Sequence, residues 1–439
     1  MGLRTHTTED FEMRLRTAFA LGLLLVITQS VAFAAPPGWD FDAVPESMVL
    51  RGGSVFDGER FVVRDLFVES GRFVAEAPEE PDRVVSLEGR FVIPPRGDAH
   101  THRFSSAYDA EYARDLILRR GVFYALNCCC PKTARKECAP FLDRPGGVDV
   151  AFSNGGFTCP GGHPVKLYEM LHENAYQRPP ETFREENEDS SFYEVADRAT
   201  LEAKWALHRK TDPDFVKVLL LYSDEYEARL GAERFYGGRG IDPRLVAPLV
   251  DFARKDGLRV GAHVENAADF RAAVAGGVSV ILHTPGYGLR EGGDPEPYRV
   301  DEAAAEAAKT AGVTQVTTLG VGRCQEAIDL MAQNLRALRA AGVPIAFGSD
   351  TWTGPDYELD ILSQIDVFEP AELLRLITET TPRLIFPQRR IGRIAPGFEA
   401  SFVAYDRNPL ESIGILSKAP ALVVKDGAFL YEKAPRAKD

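Results

Sequence analysis

Histidine, lysine and aspartate recur in this chain at the ends of short apolar runs, where a metal site is most easily built. The run Val92-Ile93-Pro94-Pro95-Arg96-Gly97-Asp98-Ala99-His100-Thr101-His102 reads as a buried strand that ends in two imidazoles. Side chains alternate faces along a strand, so His100 and His102 share a side while Thr101 points away. Two neutral imidazoles converging there make half of a first-row metal site. Two half-buried histidines on an amphipathic strand would carry the same pattern, so the pair decides nothing alone.

The rest of the chain supplies the remaining ligand types in order. Phe215-Val216-Lys217-Val218-Leu219-Leu220-Leu221 holds Lys217 inside an otherwise apolar strand. Lysine is almost never fully buried without a partner, and snorkelling is hard from mid-strand. One reading is a buried ion pair. The other is an amine that loses its proton on desolvation and captures carbon dioxide, giving a carbamate able to bridge two cations. Arg259-Val260-Gly261-Ala262-His263 and Val280-Ile281-Leu282-His283 each deliver a histidine at a strand end, and Ile345-Ala346-Phe347-Gly348-Ser349-Asp350 closes the series with a carboxylate. Single strand-end histidines are ordinarily satisfied polar residues. Two on consecutive strands, after a buried lysine and a His-x-His pair, are not well explained that way. Four histidines, one modified lysine and one aspartate suffice for two divalent ions, taken as zinc, with positions left for water.

These ligands need elements that bring them together. Eight candidate strands are legible: the one ending at His100, then 121–127, 148–153, 215–221, 259–263, 279–283, 314–318 and 344–349. Helical stretches at 245–255, 301–311 and 325–341 lie between them, the alternation of a parallel barrel. The expected fold class is α/β, a (β/α)8 TIM-like barrel over residues 93–387 with its active site at the C-terminal mouth. β-rich runs at 48–58, 61–69 and 72–75 precede it, with turns at Gly52-Gly53 and Ser70-Gly71, and others at 391–406 and 421–427 follow. Residues 45–92 and 388–435 are therefore expected to join in one composite β-sandwich domain. Residues 161–213 exceed a single crossover, carrying an acidic segment at 178–191 and a helix near 195–210. Long loops at that face commonly shape substrate access.

Composition narrows the function further. The 439 residues are 45% hydrophobic, and 51 Lys+Arg stand against 65 Asp+Glu, a formal net charge of -14. So acidic a chain lacks the basic footprint that nucleic-acid phosphates require. Met13-Arg14-Leu15-Arg16, the apolar run from Thr17 to Ile27, and Ala32-Phe33-Ala34-Ala35 make a secretory signal peptide cleaved near Ala34. The run is too short for a spanning helix, so no stable membrane insertion follows cleavage. The first 12 residues read as an over-extended start, and 1–35 are set apart from the fold. An exported, periplasmic or secreted location would be oxidising, so one or two disulfides are expected among Cys128, Cys129, Cys130, Cys138 and Cys159, with Cys324 free.

Taken together, Gly97-Asp98-Ala99-His100-Thr101-His102, the lysine of Phe215-Val216-Lys217-Val218, Ala262-His263, Leu282-His283, Gly348-Ser349-Asp350 and Ile391-Gly392-Arg393-Ile394-Ala395-Pro396-Gly397 resemble the amidohydrolase superfamily. The likeness is to the branch near imidazolonepropionase and the carboxylated-lysine Xaa-Pro and Xaa-Arg dipeptidases, and runs from about residue 45 to the end. It implies that His100, His102 and Asp350 hold one metal, that His263 and His283 hold the other, and that carboxylated Lys217 bridges them. Ala400-Ser401-Phe402 departs from the family's usual Ala-Asp-Leu or Ala-Asp-Phe, at a site in the β domain.

The chemistry expected of such a pair is a metal-activated hydroxide that attacks a carbonyl, with Asp350 taking the water's proton and delivering it to the leaving group. The expected substrate is a small molecule, an amide in a dipeptide or cyclic amide. Lactone or ester hydrolysis on the same site and a non-catalytic scaffold are the alternatives, and a homo-oligomer is compatible with all three. His163, in Gly161-Gly162-His163-Pro164, is a candidate for binding a substrate carboxylate or oxyanion, and Tyr236, before the fifth strand, is a second candidate contact. Glu265 shares a face with His263 and is placed to orient it.

Overall fold

The computed structural model describes residues 44–175, 177–350 and 354–433. The signal segment expected over 1–35 lies outside the described residues. Five strands open the chain: β1 (Ser47–Phe56), β2 (Phe61–Glu69), β3 (Arg72–Val74), β4 (Arg83–Ser86) and β5 (Phe91–Ile93). Ten follow: β6 (Arg96–Thr101), β7 (Val122–Asn127), β8 (Asp149–Phe152), β9 (Gly156–Thr158), β10 (Phe192–Glu194), β11 (Val216–Leu219), β12 (Val260–His263), β13 (Val280–Ile281), β14 (Thr314–Val316) and β15 (Ile345–Ala346). The last are β16 (Phe402–Tyr405), β17 (Leu422–Lys425) and β18 (Ala428–Glu432).

Both chain ends share one eight-stranded sheet, ordered β18-β17-β16-β5-β1-β2-β3 with β4 beside β1. The ends meet where β16 runs antiparallel to β5, Val403 opposite Ile93. Alternation assigns the two faces of the C-terminal strands. Phe402, Ala404, Leu422 and Val424 enter a core with Met48, Leu50, Val68 and Phe73. Val403, Tyr405, Val423 and Leu430 enter the large core shared with the inner strands. The turn expected at Gly52-Gly53 is instead a register shift inside one continuous strand, made possible by Gly52 at φ +69, whose N–H goes to Asp65 Oδ1.

The inner strands pair in parallel throughout, with helices between them, so the fold is mixed α/β. All eight expected inner runs contain a strand, but they fall into a three-stranded sheet, β6-β7-β8, and a seven-stranded one, β10-β9-β11-β12-β13-β14-β15. The division comes from a break in the third run. β8 pairs with β7, and after Ser153-Asn154-Gly155 the chain resumes as β9, which pairs with β11. Asn154 takes a left-handed φ of 52 there, its amide anchored on Thr211 O and Oγ1. Backbone bonds join the two sheets at both edges: Ala99 N–H to Phe347 O and Asp350 N–H to His100 O, each 2.8 Å, and Asp214 N–H to Phe152 O, 2.9 Å. The long 161–213 segment holds β10 and the helices Val165–Met170 and Arg198–His208. No helix of the described residues is long and apolar enough to cross a membrane.

Candidate active site

Apart from Lys217, which lies within its strand, each predicted ligand stands near the C-terminal end of a parallel strand or beyond it, and the strands bring them into one arc. His100 is the last residue but one of β6, Lys217 lies in β11, His263 ends β12, and His283 and Asp350 follow β13 and β15. Ring centroids step from His102 to His100 (5.4 Å), to His283 (4.5 Å), to His263 (4.4 Å) and on to His163 (4.9 Å). Lys217 Nζ lies 3.1 Å from His100 Nε2. Asp350 faces three of the rings, with Oδ1 3.2 Å from His102 Nε2 and 3.7 Å from His100 Nε2, and Oδ2 3.8 Å from His283 Nε2. Close strand approach makes this possible: a Cβ on Gly348 would lie 2.9 Å from His100 Cβ.

Each imidazole of the arc except His163 is oriented from behind by a fixed partner, as metal ligation by histidine requires. His100 Nδ1 meets Leu282 O at 2.9 Å, His102 Nδ1 meets Cys129 O at 3.4 Å, and His283 Nδ1 meets Thr318 Oγ1 at 3.2 Å. His263 Nε2 is taken by the Tyr287 hydroxyl at 3.0 Å, which leaves Nδ1 for a ligand. Burial pushes His263 and His163 down to about 3, and His100 and His283 well below the ordinary imidazole value, so their ring lone pairs are free at neutral pH. Burial opposes the charge on Asp350, yet the crowding imidazoles of His100, His102 and His283 hold its carboxyl well below the usual range. Lys217 is raised above the ordinary lysine value: burial disfavours the ammonium, but the sulfurs of Cys129 and Cys128 and the Asp350 carboxylate outweigh it. The sulfurs act only as thiolates, and burial pushes the Cys128 thiol up to about 12. At neutral pH the amine therefore faces Asp350 as its anion.

This donor set suits a divalent metal. His100, His283 and Asp350 offer ligand atoms that all lie within 4.8 Å of one another. Residues 221–431 match the family model described as "Amidohydrolase family". Over those residues the chain is similar to the amidohydrolases. Ochratoxinase of Aspergillus niger is 24% identical over 213 residues, which is 44% of this chain and 42% of that relative, so the alignment spans under half of the curated protein. The crystal structure of A. niger ochratoxinase superposes with a TM-score of 0.69 at 17% identity, over 89% of this chain and 96% of that one. A Xaa-Pro dipeptidase with bound methionine gives 0.68 at 16% identity, over 88% and 100%. At such identities the solved structures speak for the amidohydrolase fold.

Around the arc, several groups had no signal in sequence. Tyr287, four residues past His283, donates to Glu265 Oε1 as well as meeting His263. Asp98 is buried and ties the first inner strand to the end of the last, accepting from Ser349 Oγ at 2.6 Å, Ser349 N at 3.0 Å and His100 N at 3.1 Å. Of the predicted substrate contacts, His163 joins the arc. Tyr236 commits its hydroxyl to Glu169 and packs with Val165, Phe183 and Phe192. Glu265 Oε1 lies 3.6 Å from His263 Nε2. The expected disulfides are not formed: all six cysteines are free, and the 128–159 loops are held instead by bonds such as Cys129 N–H to Ser153 Oγ and Tyr168 Oη–H to Cys129 O.

Proposed function

We propose that this chain is an exported amide hydrolase that works with two divalent ions, taken as zinc, on a small dipeptide or cyclic amide. The observation that carries the reading is the meeting of Lys217, four ligand histidines and Asp350 at one mouth, with Lys217 Nζ 3.1 Å from His100 Nε2. In this reading the two parallel sheets close into a (β/α)8 barrel through the edge bonds at Ala99, Asp350 and Asp214. The β domain assembled from 45–92 and 388–435 caps its other side. Export rests on the basic and apolar pattern of residues 13–35.

His100, His102 and Asp350 would hold one ion, His263 and His283 the other, with a carbamate on Lys217 between them. When bound, such ions lower the pKa of water to about 7 and polarise the substrate carbonyl. Asp350, kept ionised, is placed to accept the attacking water's proton and return it to the departing nitrogen. His163, kept neutral, can donate or accept at the substrate on the far side of His263. Relatives that include a Xaa-Pro dipeptidase support a dipeptide substrate.

Metal analysis and a substrate panel test the reading together. Protein loaded with Zn²⁺ and bicarbonate should carry two equivalents of metal and turn over amides, and chelation should abolish turnover. Turnover of lactones alone would shift the assignment to ester chemistry. A chain that binds no metal would be a scaffold.

A further inference from the structure

Glu265 uses only half of its carboxylate. Oε1 receives the Tyr287 hydroxyl, while Oε2 has no hydrogen-bond partner among the described residues, and no lysine or arginine among them pairs with it. The residue is only 6% exposed. Oε2 is not among the fully buried unpartnered atoms, so it keeps an accessible face through which a donor from outside the chain can reach it.

The surroundings narrow the class of that donor. A Cβ on Gly288 would stand 2.8 Å from Glu265 Oε2, 3.5 Å from Tyr222 Oη and 3.7 Å from Tyr298 Cε1. The missing side chain leaves Oε2 approachable between two half-buried tyrosines whose hydroxyls are 3.4 Å apart. Asp269 sets this wall rigidly, accepting from Glu265 N and Tyr222 N at 3.0 Å each and from Ser223 N at 2.7 Å. An anion would be repelled at Oε2. A neutral hydroxyl would gain a hydrogen bond without charge, whereas an ammonium gains both. Glu265 also stands beside the arc, and the α-amine of an aminoacyl group is only two bonds from its carbonyl carbon.

We propose that Glu265, flanked by Tyr222 and Tyr298, is the subsite for a substrate's free α-ammonium, so that the substrates cut are aminoacyl amides with an unblocked N-terminus. The assignment rests on the amide-hydrolase reading for its kinetics but not for its binding.

Two measurements test it. On the metal-loaded enzyme, dipeptides should exceed their N-acetyl forms in kcat/KM by about 10–100-fold, the range of a charge-assisted hydrogen bond. Glu265→Gln, which keeps an acceptor for Tyr287, should bring that ratio close to one, chiefly by raising KM for the free amine. Gly288→Ala, which covers Oε2, should do the same. Calorimetry on the metal-free protein gives an independent arm: leucinamide should bind, N-acetyl-leucinamide should not, and Glu265→Gln should lose the difference. If neither probe binds, or if the ratio survives both substitutions, the subsite is overturned. Binding of leucinamide without hydrolysis of any amide would keep the subsite and overturn the hydrolase reading instead.

Discussion

Lys217 Nζ and His100 Nε2 are 3.1 Å apart although 117 residues separate them in sequence. Both are buried, and each belongs to a different strand of the parallel sheets, so the chain has placed an amine and an imidazole lone pair in one dry spot. An ordinary ion pair leaves the amine protonated; a metal pair requires it as a carboxylate-like bridge. Lys217→Ala separates these. It should bind fewer than two ions per chain and lose at least about 100-fold in kcat/KM. Acetate or propionate should restore part of that loss by supplying the missing carboxylate. Carbon-13 NMR after labelled bicarbonate should show a carbamate signal in the wild type and none in the variant. Full metal content and turnover in Lys217→Ala would return the residue to a structural role.

Asp350 occupies left-handed backbone, φ 46, a conformation that Asn also tolerates. Asp350→Asn should therefore keep the fold while removing the proton acceptor. Turnover should fall by about 10²–10⁴-fold, the usual range for general acid–base catalysis, with an unchanged circular dichroism spectrum for the metal-free protein. Retention of most activity would take the proton-transfer role away from it.

Much of the site's geometry is legible in the sequence, for a physical reason. His100, His263, His283 and Asp350 sit at the ends of apolar runs, and the period-2 alternation of a strand carries both its position and its facing into the sequence. The groups that orient them leave no such trace. Tyr287 reaches His263 from a loop, and Asp98 bonds Ser349 across 251 positions of chain, so only closure of the sheets brings them together. The broken third strand was hidden as well, because β9 and β10 are too short to show a period. Tyr236 was placed by its distance along the chain from β12, but the loop turns its hydroxyl to Glu169. The cysteine triplet suggested disulfides because sequence counts thiols without showing which way they face.

The outer sheet is clamped to the inner strands by a buried ion network. Lys425 Nζ, 1% exposed at its side chain, lies 2.7 Å from Asp149 Oδ1 and 2.8 Å from Arg144 O. Arg389 Nη1 reaches the other Asp149 oxygen at 2.7 Å. Lys425→Met removes one cation and leaves Asp149 with Arg389 alone. Breaking a buried pair from one side costs about 3–5 kcal/mol, and the remaining guanidinium should hold the loss near the lower figure. Urea unfolding should report it, while kcat/KM at moderate temperature stays within about twofold. A loss below about 1 kcal/mol would mean that the network contributes specificity of docking and little stability.

His208 makes stability depend on pH away from the metal ligands. It ends the helix Arg198–His208, with Nε2 3.1 Å from Ser153 O at the break in the third strand, and Nδ1 has no partner. The rings of Phe157, Tyr193 and Trp205 surround it at 5.0, 5.1 and 5.8 Å. Protonation would put an N–H into that apolar cage, and burial accordingly lowers the imidazole from 6.5 to about 4, against the pull of the Ser153 carbonyl. Below 6.5 the unfolded chain takes up the proton first, so the stability is complete above that pH and is lost as pH falls towards 4. By about pH 5 the loss from this residue is about 2 kcal/mol. The buried imidazoles of the arc titrate in the same direction, so the measurement is a difference: unfolding free energies at about pH 7 and about pH 5, for wild type and His208→Gln. The drop between the two pH values should be smaller in the variant by about that amount, even though glutamine costs some stability at neutral pH. Equal drops would show that His208 is already protonated in the folded chain, and that the cage around it admits water.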